Sequence, residues 1–210
     1  MNEQLFQLVN QYAGHSVWLD GAMIFLADYT PEVFALFLLM LWFSSKKDKD
    51  VLEKNQRTAL YTVITILISF LCNQVIHHLY WHPRPFMAHA VNQLIPHAAD
   101  SSFVSDHTIL AFSVAGMFYY RQVRYRWAVM VLAALTGIAR VFVGVHYPAD
   151  VVGGAVVALL VALLVSKSAG ILEPLIHKIF QLYAACTNRV PVLSAYRVYS
   201  TKQKKLYSEL

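Results

Sequence analysis

The sequence predicts an all-α integral membrane protein, a bundle of about five to six transmembrane helices with its chemically active residues at the outer face. The 210 residues are 58% hydrophobic and only 14% charged, whereas a soluble domain carries about 25% charged residues. Apolar segments close to the length of about 20 residues that spans a bilayer recur along the chain. Basic residues cluster between these segments. No linker or repeat divides the sequence, so we expect one membrane domain.

Five apolar segments are predicted to cross the membrane. In chain order they are residues 19–43, 58–80, 105–120, 127–143 and 147–166. The first contains Asp20, Asp28 and Glu32, so it is either one span with carboxylates near its outer end or a broken, partly re-entrant pair. We favour the single span. Pro148 suits the first turn of the last helix, because its missing N–H has no helical partner there.

The remaining segments flank this transmembrane domain, which we assign to residues 19–166. Residues 1–18 have apolar side chains at roughly helical spacing and are predicted to form an interfacial helix, although a helix packed on the bundle fits equally well. Residues 44–57 are interpreted as a charged loop. Residues 167–210 are predicted to be a cytoplasmic tail, first amphipathic and then basic.

The distribution of positive charge predicts the orientation. Five of the 17 basic residues lie in residues 44–57, three in residues 121–126 and seven from Lys167 onward. With five spans these regions fall on one side, which the excess of Lys and Arg marks as the cytoplasm. This pattern accounts for the net charge of +5 without nucleic acid. The opposite, outer face keeps only Arg84 and Arg140.

These two arginines point to phosphate chemistry. A guanidinium presents a planar fork of donors that matches a phosphate and remains charged at any working pH. Two of them would stabilise the charge that spreads over the oxygens of a transferring phosphoryl group. The alternative is that Arg84 and Arg140 extend separately to lipid headgroups.

Two histidines accompany the arginines. His146 and Asp150 are four residues apart, so on a helix start they face each other, and a carboxylate at one ring nitrogen makes the other a better nucleophile. His107 follows Ser105, a predicted N-cap whose helix start could bind an anion, and could protonate a leaving group. The alternatives are ordinary helix capping and packing.

Together the three runs resemble the type-2 phosphatidic acid phosphatase superfamily, whose motifs read Lys-x6-Arg-Pro, Pro-Ser-Gly-His and Ser-Arg-x5-His-x3-Asp. The matching runs here are Arg84-Pro85, Ser105-x-His107 and Arg140-x5-His146-x3-Asp150. They lie within residues 77–150. The run from Arg84 through His107 is also similar to the undecaprenyl-diphosphatases associated with bacitracin resistance, a subgroup in which aspartate, here Asp106, replaces the glycine of the second motif.

The resemblance implies a phosphatase that needs no metal or other cofactor. It implies that His146 attacks phosphorus with help from Asp150 to form a phosphohistidine, and that His107 protonates the leaving lipid phosphate. The phosphate-binding residues would be Arg84, Arg140, Ser105 and His77. Three positions depart from the family: His77 replaces the motif lysine, Val104 the proline and Ala139 the serine. We expect activity to survive these changes.

The expected partners are the bilayer and a polyprenyl diphosphate lipid, whose hydrolysis would recycle a cell-wall carrier and oppose bacitracin. Only the subgroup resemblance favours this lipid over phosphatidic acid or phosphatidylglycerol phosphate. A transport permease would leave His146 and Asp150 without a role. A metal-dependent hydrolase would use the histidines crowded between His77 and His107, but these lack the short spacing of a zinc site.

Overall fold

The computed structural model describes residues 1–45, 47–187 and 190–198, and every regular element in these ranges is an α-helix. In chain order the helices are α1 (Asn2–Asn10), α2 (Val17–Asp28), α3 (Thr30–Trp42), α4 (Lys49–Leu79), α5 (Pro85–Ala88), α6 (Asp106–Tyr120), α7 (Arg126–Phe142), α8 (Pro148–Lys167), α9 (Ala169–Cys186) and α10 (Pro191–Ser194). The all-helical prediction is confirmed.

Helix α6 is the centre of the bundle and packs against α3, α4, α7 and α8. Small residues let α8 approach it closely. A Cβ added to Gly116 of α6 would lie 3.0 Å from Cβ of Ala162, and one added to Gly154 of α8 would lie 3.1 Å from the carbonyl oxygen of Ser105. Larger side chains at these positions would separate the two helices that deliver the motif residues.

The motif residues meet at one end of the bundle because consecutive helices run in alternating directions. The C-terminal ends of α4 and α7 and the N-terminal ends of α6 and α8 all contribute to this end. We call it the site end. Helix α1 packs there as well, against α7 and α8, with Phe6 fully buried.

Two helices, α4 and α8, are long and apolar enough to cross a membrane, and the bent pair α2–α3 would make a third span. The helices predicted to begin near residues 105, 127 and 147 are confirmed within a residue or two. However, α6 has 15 residues and α7 has 17, fewer than the roughly 20 of a full span. The protein is a membrane protein, and the count of five spans stays a prediction.

The first apolar segment is not one continuous helix. It is broken at Tyr29 into α2 and α3, which meet at an angle of 59°. Pro31 explains the break, because it has no N–H to donate to the carbonyl of Ala27 and its ring crowds that carbonyl. The alternative of a broken pair is therefore the one the structure contains.

The predicted loop at residues 44–57 is also corrected. Helix α4 starts at Lys49, nine residues before the predicted span, because Asp48 caps it by accepting hydrogen bonds from the N–H groups of Asp50 and Val51. Charged residues in this segment therefore lie on helical turns that extend beyond the apolar span.

The tail folds back onto the bundle over part of its length. Helix α9 contacts α4 and α8, buries Ile176 and Phe180, and is tied to α4 by an ion pair of 2.7 Å between Arg57 and Glu173. The basic segment from residue 199 onward lies outside the described residues.

Candidate active site

His146 lies at the centre of the site end, just before α8, with only 2% of its surface exposed. Its Nδ1 is 3.0 Å from the carbonyl oxygen of Ser102, and its Nε2 is 3.0 Å from Nη1 of Arg84. A carbonyl only accepts and a guanidinium only donates. We therefore assign the ring proton to Nδ1, which leaves the lone pair on Nε2.

Asp150, in the first turn of α8, is fully buried. Its Oδ2 accepts hydrogen bonds from the N–H of Tyr147, at 2.8 Å, and from the hydroxyl of Ser102. The same oxygen lies 3.6 Å from Nδ1 of His146. This is near enough for an ion pair with a protonated ring, but longer than a hydrogen bond. Asp150 thus faces His146 as predicted, while the backbone of Ser102 supplies the nearer acceptor.

Ser102 is the site residue that sequence reasoning missed. Its hydroxyl contacts Asp150 and lies 3.4 Å from Nδ1 of His146, while its carbonyl holds the same ring nitrogen. The serine links the two residues of the third motif. The position of Ser102 just before the second motif could have indicated a role in the site, but the sequence spacing does not distinguish Ser102 from Ser101.

Arg84, at the start of α5, is buried and uses most of its donors. Its Nε binds Oδ1 of Asp100 at 2.7 Å, and its Nη1 donates to the carbonyl of Val145 at 3.0 Å. Its Nη1 also contacts Nε2 of His146. Asp100 is more than half exposed, so Arg84 connects a surface carboxylate with the buried imidazole.

Arg140, in the last turn of α7, is 99% buried and largely unsatisfied. Its Nη1 lies 3.3 Å from the carbonyl of Ala27 and 3.5 Å from Oδ1 of Asp28. Its Nε and Nη2 have no partner in the described residues. Buried donors without acceptors are costly, so an anion at this position would satisfy donors that the described residues leave unpaired. The Ala27 carbonyl is free for Arg140 because Pro31 lacks an N–H.

The second motif starts α6. The side chain of Ser105 is fully buried and accepts from the N–H of Thr108 at 3.5 Å, which confirms the predicted N-cap. His107 lies in the first turn of α6 and is partly buried. His77, at the end of α4, contacts the carbonyl of Val104 at 3.4 Å. It thus lies beside the turn that precedes Ser105, and its part in phosphate binding stays a prediction.

Two buried asparagines fix the loops around the site. Asn73 of α4 donates to Oδ1 of Asp106 at 2.7 Å and to the carbonyl of Val104 at 3.2 Å. Asn10 of α1 donates to the carbonyls of Asn92 and Phe142, both at 2.8 Å. The second contact lies two residues beyond Arg140, so α1 holds the end of α7 that carries the arginine.

The electrostatic surroundings favour neutral imidazoles in the two loops that face the site. Burial, opposed by the Asp150 carboxylate and reinforced by the charges of Arg140 and Arg84, lowers the pKa of His146 to about 3. Burial and the charge of Arg84 also lower the pKa of His97, whose ring centre is 6.1 Å from that of His146. The ring of His146 is therefore neutral at neutral pH and keeps the Nε2 lone pair that a nucleophile needs.

The histidines between His77 and His107 raise the question of whether they could bind a metal ion. Within the described ranges, no three His, Cys, Asp or Glu side chains are grouped so that they could hold a metal ion. Asp150 lies near two histidines, with Nδ1 of His82 3.8 Å from its Oδ1 and Nδ1 of His146 3.6 Å from its Oδ2. These contacts join two histidines to a single carboxylate.

Fold and site together define a class of protein: a helical membrane phosphatase in which a buried histidine, the candidate nucleophile, contacts one buried arginine and a second buried arginine lies at the same end of the bundle. The sequence profile of the PAP2 superfamily matches residues 58–171, which include all three motifs. The chain belongs to the PAP2 superfamily. The predicted family resemblance is thus confirmed.

Individual relatives agree with this assignment. The chain is 34% identical over 190 residues to the undecaprenyl-diphosphatase BcrC of Bacillus subtilis (strain 168), covering 90% of this chain and 95% of that protein. It is 33% identical to a protein of Bacillus licheniformis named bacitracin transport permease protein BcrC, covering 90% and 91%. The crystal structure of Aquifex aeolicus LpxE superposes with a TM-score of 0.65 at 25% identity, covering 79% of this chain and 94% of that one.

Proposed function

We propose that the protein hydrolyses undecaprenyl diphosphate to undecaprenyl phosphate and inorganic phosphate. The observation that carries the proposal is the buried, neutral His146, whose Nε2 lone pair faces one arginine while a second arginine keeps unpartnered donors. Similarity to BcrC over nine-tenths of the chain supports the choice of lipid. The reaction would recycle the wall carrier lipid and remove the diphosphate that bacitracin recognises.

Substrate binding uses the arginines. The terminal phosphate enters beside His146, and Nη1 of Arg84 turns from Nε2 of the ring to a phosphate oxygen. Nε and Nη2 of Arg140 donate to the other oxygens and so gain the acceptors that they lack in the free protein. Ser105 and the first N–H groups of α6 complete the anion site, since a helix start favours negative charge.

The chemical step forms a phosphohistidine. The Nε2 lone pair attacks the terminal phosphorus, and the bond from phosphorus to the bridging oxygen breaks. His107 gives its proton to that oxygen as the lipid phosphate leaves. Asp150, 3.6 Å from Nδ1, stabilises the positive ring. Water then attacks the phosphohistidine, its proton passes to His107, and inorganic phosphate is released.

The reaction takes place at the outer membrane surface in this proposal, with the C-terminus in the cytoplasm. The support is the distribution of charge: Arg84 and Arg140 are the basic residues at the site end, while 15 of the 17 basic residues lie in the other segments. The prenyl chain stays in the bilayer and the diphosphate reaches the ends of α6, α7 and α8.

Phosphate release from undecaprenyl diphosphate, measured in detergent with excess EDTA, tests the proposal. We expect turnover by the wild type and a loss of about 10³-fold or more in His146→Gln, because removal of a nucleophile abolishes its pathway. His177→Gln in α9, far from the site, is the matched control and should keep full activity.

Other outcomes would identify other functions. Turnover of phosphatidic acid or phosphatidylglycerol phosphate, but not of undecaprenyl diphosphate, would assign another lipid phosphate. Activity that EDTA abolishes in the wild type would indicate a metal-dependent hydrolase. Absence of hydrolysis of all three lipids, with or without metal, would favour a permease, the role printed in the name of the Bacillus licheniformis relative.

A further inference from the structure

A cavity of about 770 Å³ opens at the end of the bundle opposite the site. The C-terminal half of α3, the N-terminal turns of α4, the end of α6 and the start of α7 form its wall. It shares no residue with the phosphatase site. Pockets of roughly 300–1,000 Å³ are the usual size for sites that enclose a small ligand or part of a larger one.

The wall of this cavity is amphipathic. Its interior consists of apolar side chains, including Phe37, Leu41, Phe118, Val129 and Leu132. Lys54 and Arg124 belong to the same wall and are exposed. All the lining residues lie in the described part of the chain, and none is acidic.

The two cations are available to a ligand. Across the described ranges, neither Lys54 nor Arg124 forms an ion pair with a carboxylate. The guanidinium of Arg124 lies 5.6 Å from the ring centre of Tyr125, a contact that leaves its N–H donors free. A cation pair beside an apolar cavity is complementary to a phosphate that carries a hydrocarbon chain.

The aromatic residues beside the cavity are of the kind that lies near lipid headgroups. Tyr125, which lines it, is 64% exposed, and the neighbouring Trp127 is 61% exposed. Exposed Trp and Tyr concentrate where a membrane meets water. A soluble anion would gain nothing from the apolar wall, and an uncharged amphiphile would gain nothing from Lys54 and Arg124.

We propose that this cavity binds one anionic diacyl phospholipid, with its phosphate at Lys54 and Arg124 and an acyl chain between α3, α6 and α7. The bound lipid occupies the cavity lined by α3, α4, α6 and α7. The site is separate from the proposed hydrolysis, because a phosphate there lies at the opposite ends of α6 and α7, the helices that carry His107 and Arg140.

Native mass spectrometry of the detergent-purified protein tests this site. Phosphatidylglycerol and phosphatidylcholine are titrated separately into the wild type, into Lys54→Gln/Arg124→Gln and into Ala128→Phe, which fills the cavity wall with a larger side chain. The matched control is Lys167→Gln/Lys178→Gln, which removes the same charge from exposed positions outside the cavity.

We expect one tight phosphatidylglycerol adduct on the wild type and on the control. The Lys54/Arg124 double variant should bind it about 25-fold more weakly, since each basic side chain at an anionic lipid contributes about a factor of five. Ala128→Phe should also weaken it. Three outcomes would overturn the proposal. The wild type could bind phosphatidylcholine as tightly as phosphatidylglycerol, the lysine control could lose as much phosphatidylglycerol affinity as the Lys54/Arg124 variant, or both cavity variants could bind phosphatidylglycerol as tightly as the wild type. The readout does not depend on catalysis, so it stands or falls separately from the phosphatase function.

Discussion

At His146 the ring nitrogens have different partners. The carbonyl of Ser102 takes the Nδ1 proton, and Arg84 contacts Nε2. Asp150 acts through its charge and through the Ser102 hydroxyl rather than by a direct short hydrogen bond. Ser102 is therefore placed to keep both the ring and the carboxylate in position.

Replacement of Ser102 tests this positioning role. Ser102→Ala should lower kcat by about 10–100-fold with little change in KM, because a hydrogen bond to a charged group contributes about 1.5–3 kcal/mol. Ser102→Thr, which keeps the hydroxyl, should recover most of the activity. Ser113→Ala, a buried serine in α6 that bonds Ser69, is the control for simple loss of packing. A loss in Ser113→Ala as large as in Ser102→Ala would contradict the role.

The ionisation of His146 links stability to pH. Its folded-state pKa of about 3 lies below the unfolded value of about 6.5, so the unfolded chain binds one more proton between these values. The neutral ring therefore contributes its full share of the free energy of unfolding above pH 6.5. Between pH 6.5 and about 3 this contribution falls by up to about 1.4 kcal/mol per pH unit. Melting temperatures between pH 7 and 4.5 should fall more steeply for the wild type than for His146→Gln; parallel curves would refute the assignment.

Among the elements, the break between α2 and α3 has a direct consequence for the site. Pro31 leaves the carbonyl of Ala27 without its helical donor, and Arg140 takes that acceptor at 3.3 Å. Asp28, at the same bend, lies near the same guanidinium. Asp28 and Pro31 of the first apolar segment therefore help to position Arg140, the arginine that we propose binds phosphate.

Pro31→Ala tests this link between helix geometry and binding. An alanine N–H can donate to the Ala27 carbonyl and continue the helix, so Arg140 loses an acceptor and its fixed orientation. We expect KM for the diphosphate to rise about 10-fold, because the loss of one hydrogen bond to a charged group costs roughly that factor in binding. Pro174→Ala inside α9 makes the same chemical change away from the site. An unchanged KM in Pro31→Ala would show that Arg140 is held by other contacts.

At the scale of the whole molecule, the alternating helices place the motif residues at one end and most of the basic residues of the described ranges at the other. The proposed outer orientation follows from this asymmetry through the positive-inside tendency. The two natural cysteines, Cys72 and Cys186, are free thiols, which makes a labelling test simple once they are replaced.

In a variant with Cys72→Ala and Cys186→Ser, a single cysteine is introduced as His89→Cys at the site end or as Gln122→Cys at the opposite end. Both positions are exposed. A membrane-impermeant maleimide added to intact cells should label the first and leave the second unlabelled until the cells are lysed. The reverse pattern would place the site in the cytoplasm and exclude the proposed orientation.

Much of this protein follows from the sequence alone. The lengths of the apolar segments predict the helices after residue 105. A segment buried in lipid must satisfy its backbone hydrogen bonds internally, and a helix does so regardless of which helices pack beside it. The spacing of Arg140, His146 and Asp150 identifies the third motif, because residues four apart at a helix start are neighbours in any fold.

Only the tertiary structure decided which groups touch. Three contacts of the site join residues that are far apart in the sequence. They are the hydrogen bonds of His146 with the Ser102 carbonyl, of Arg140 with the Ala27 carbonyl and of Asn10 with the Phe142 carbonyl, with sequence separations of 44, 113 and 132 positions. Such contacts depend on how the helices pack and where their ends meet, which local periodicity does not encode. The start of α4 and the bend at Tyr29 were mispredicted because a single cap and a single proline outweighed the average composition of their segments.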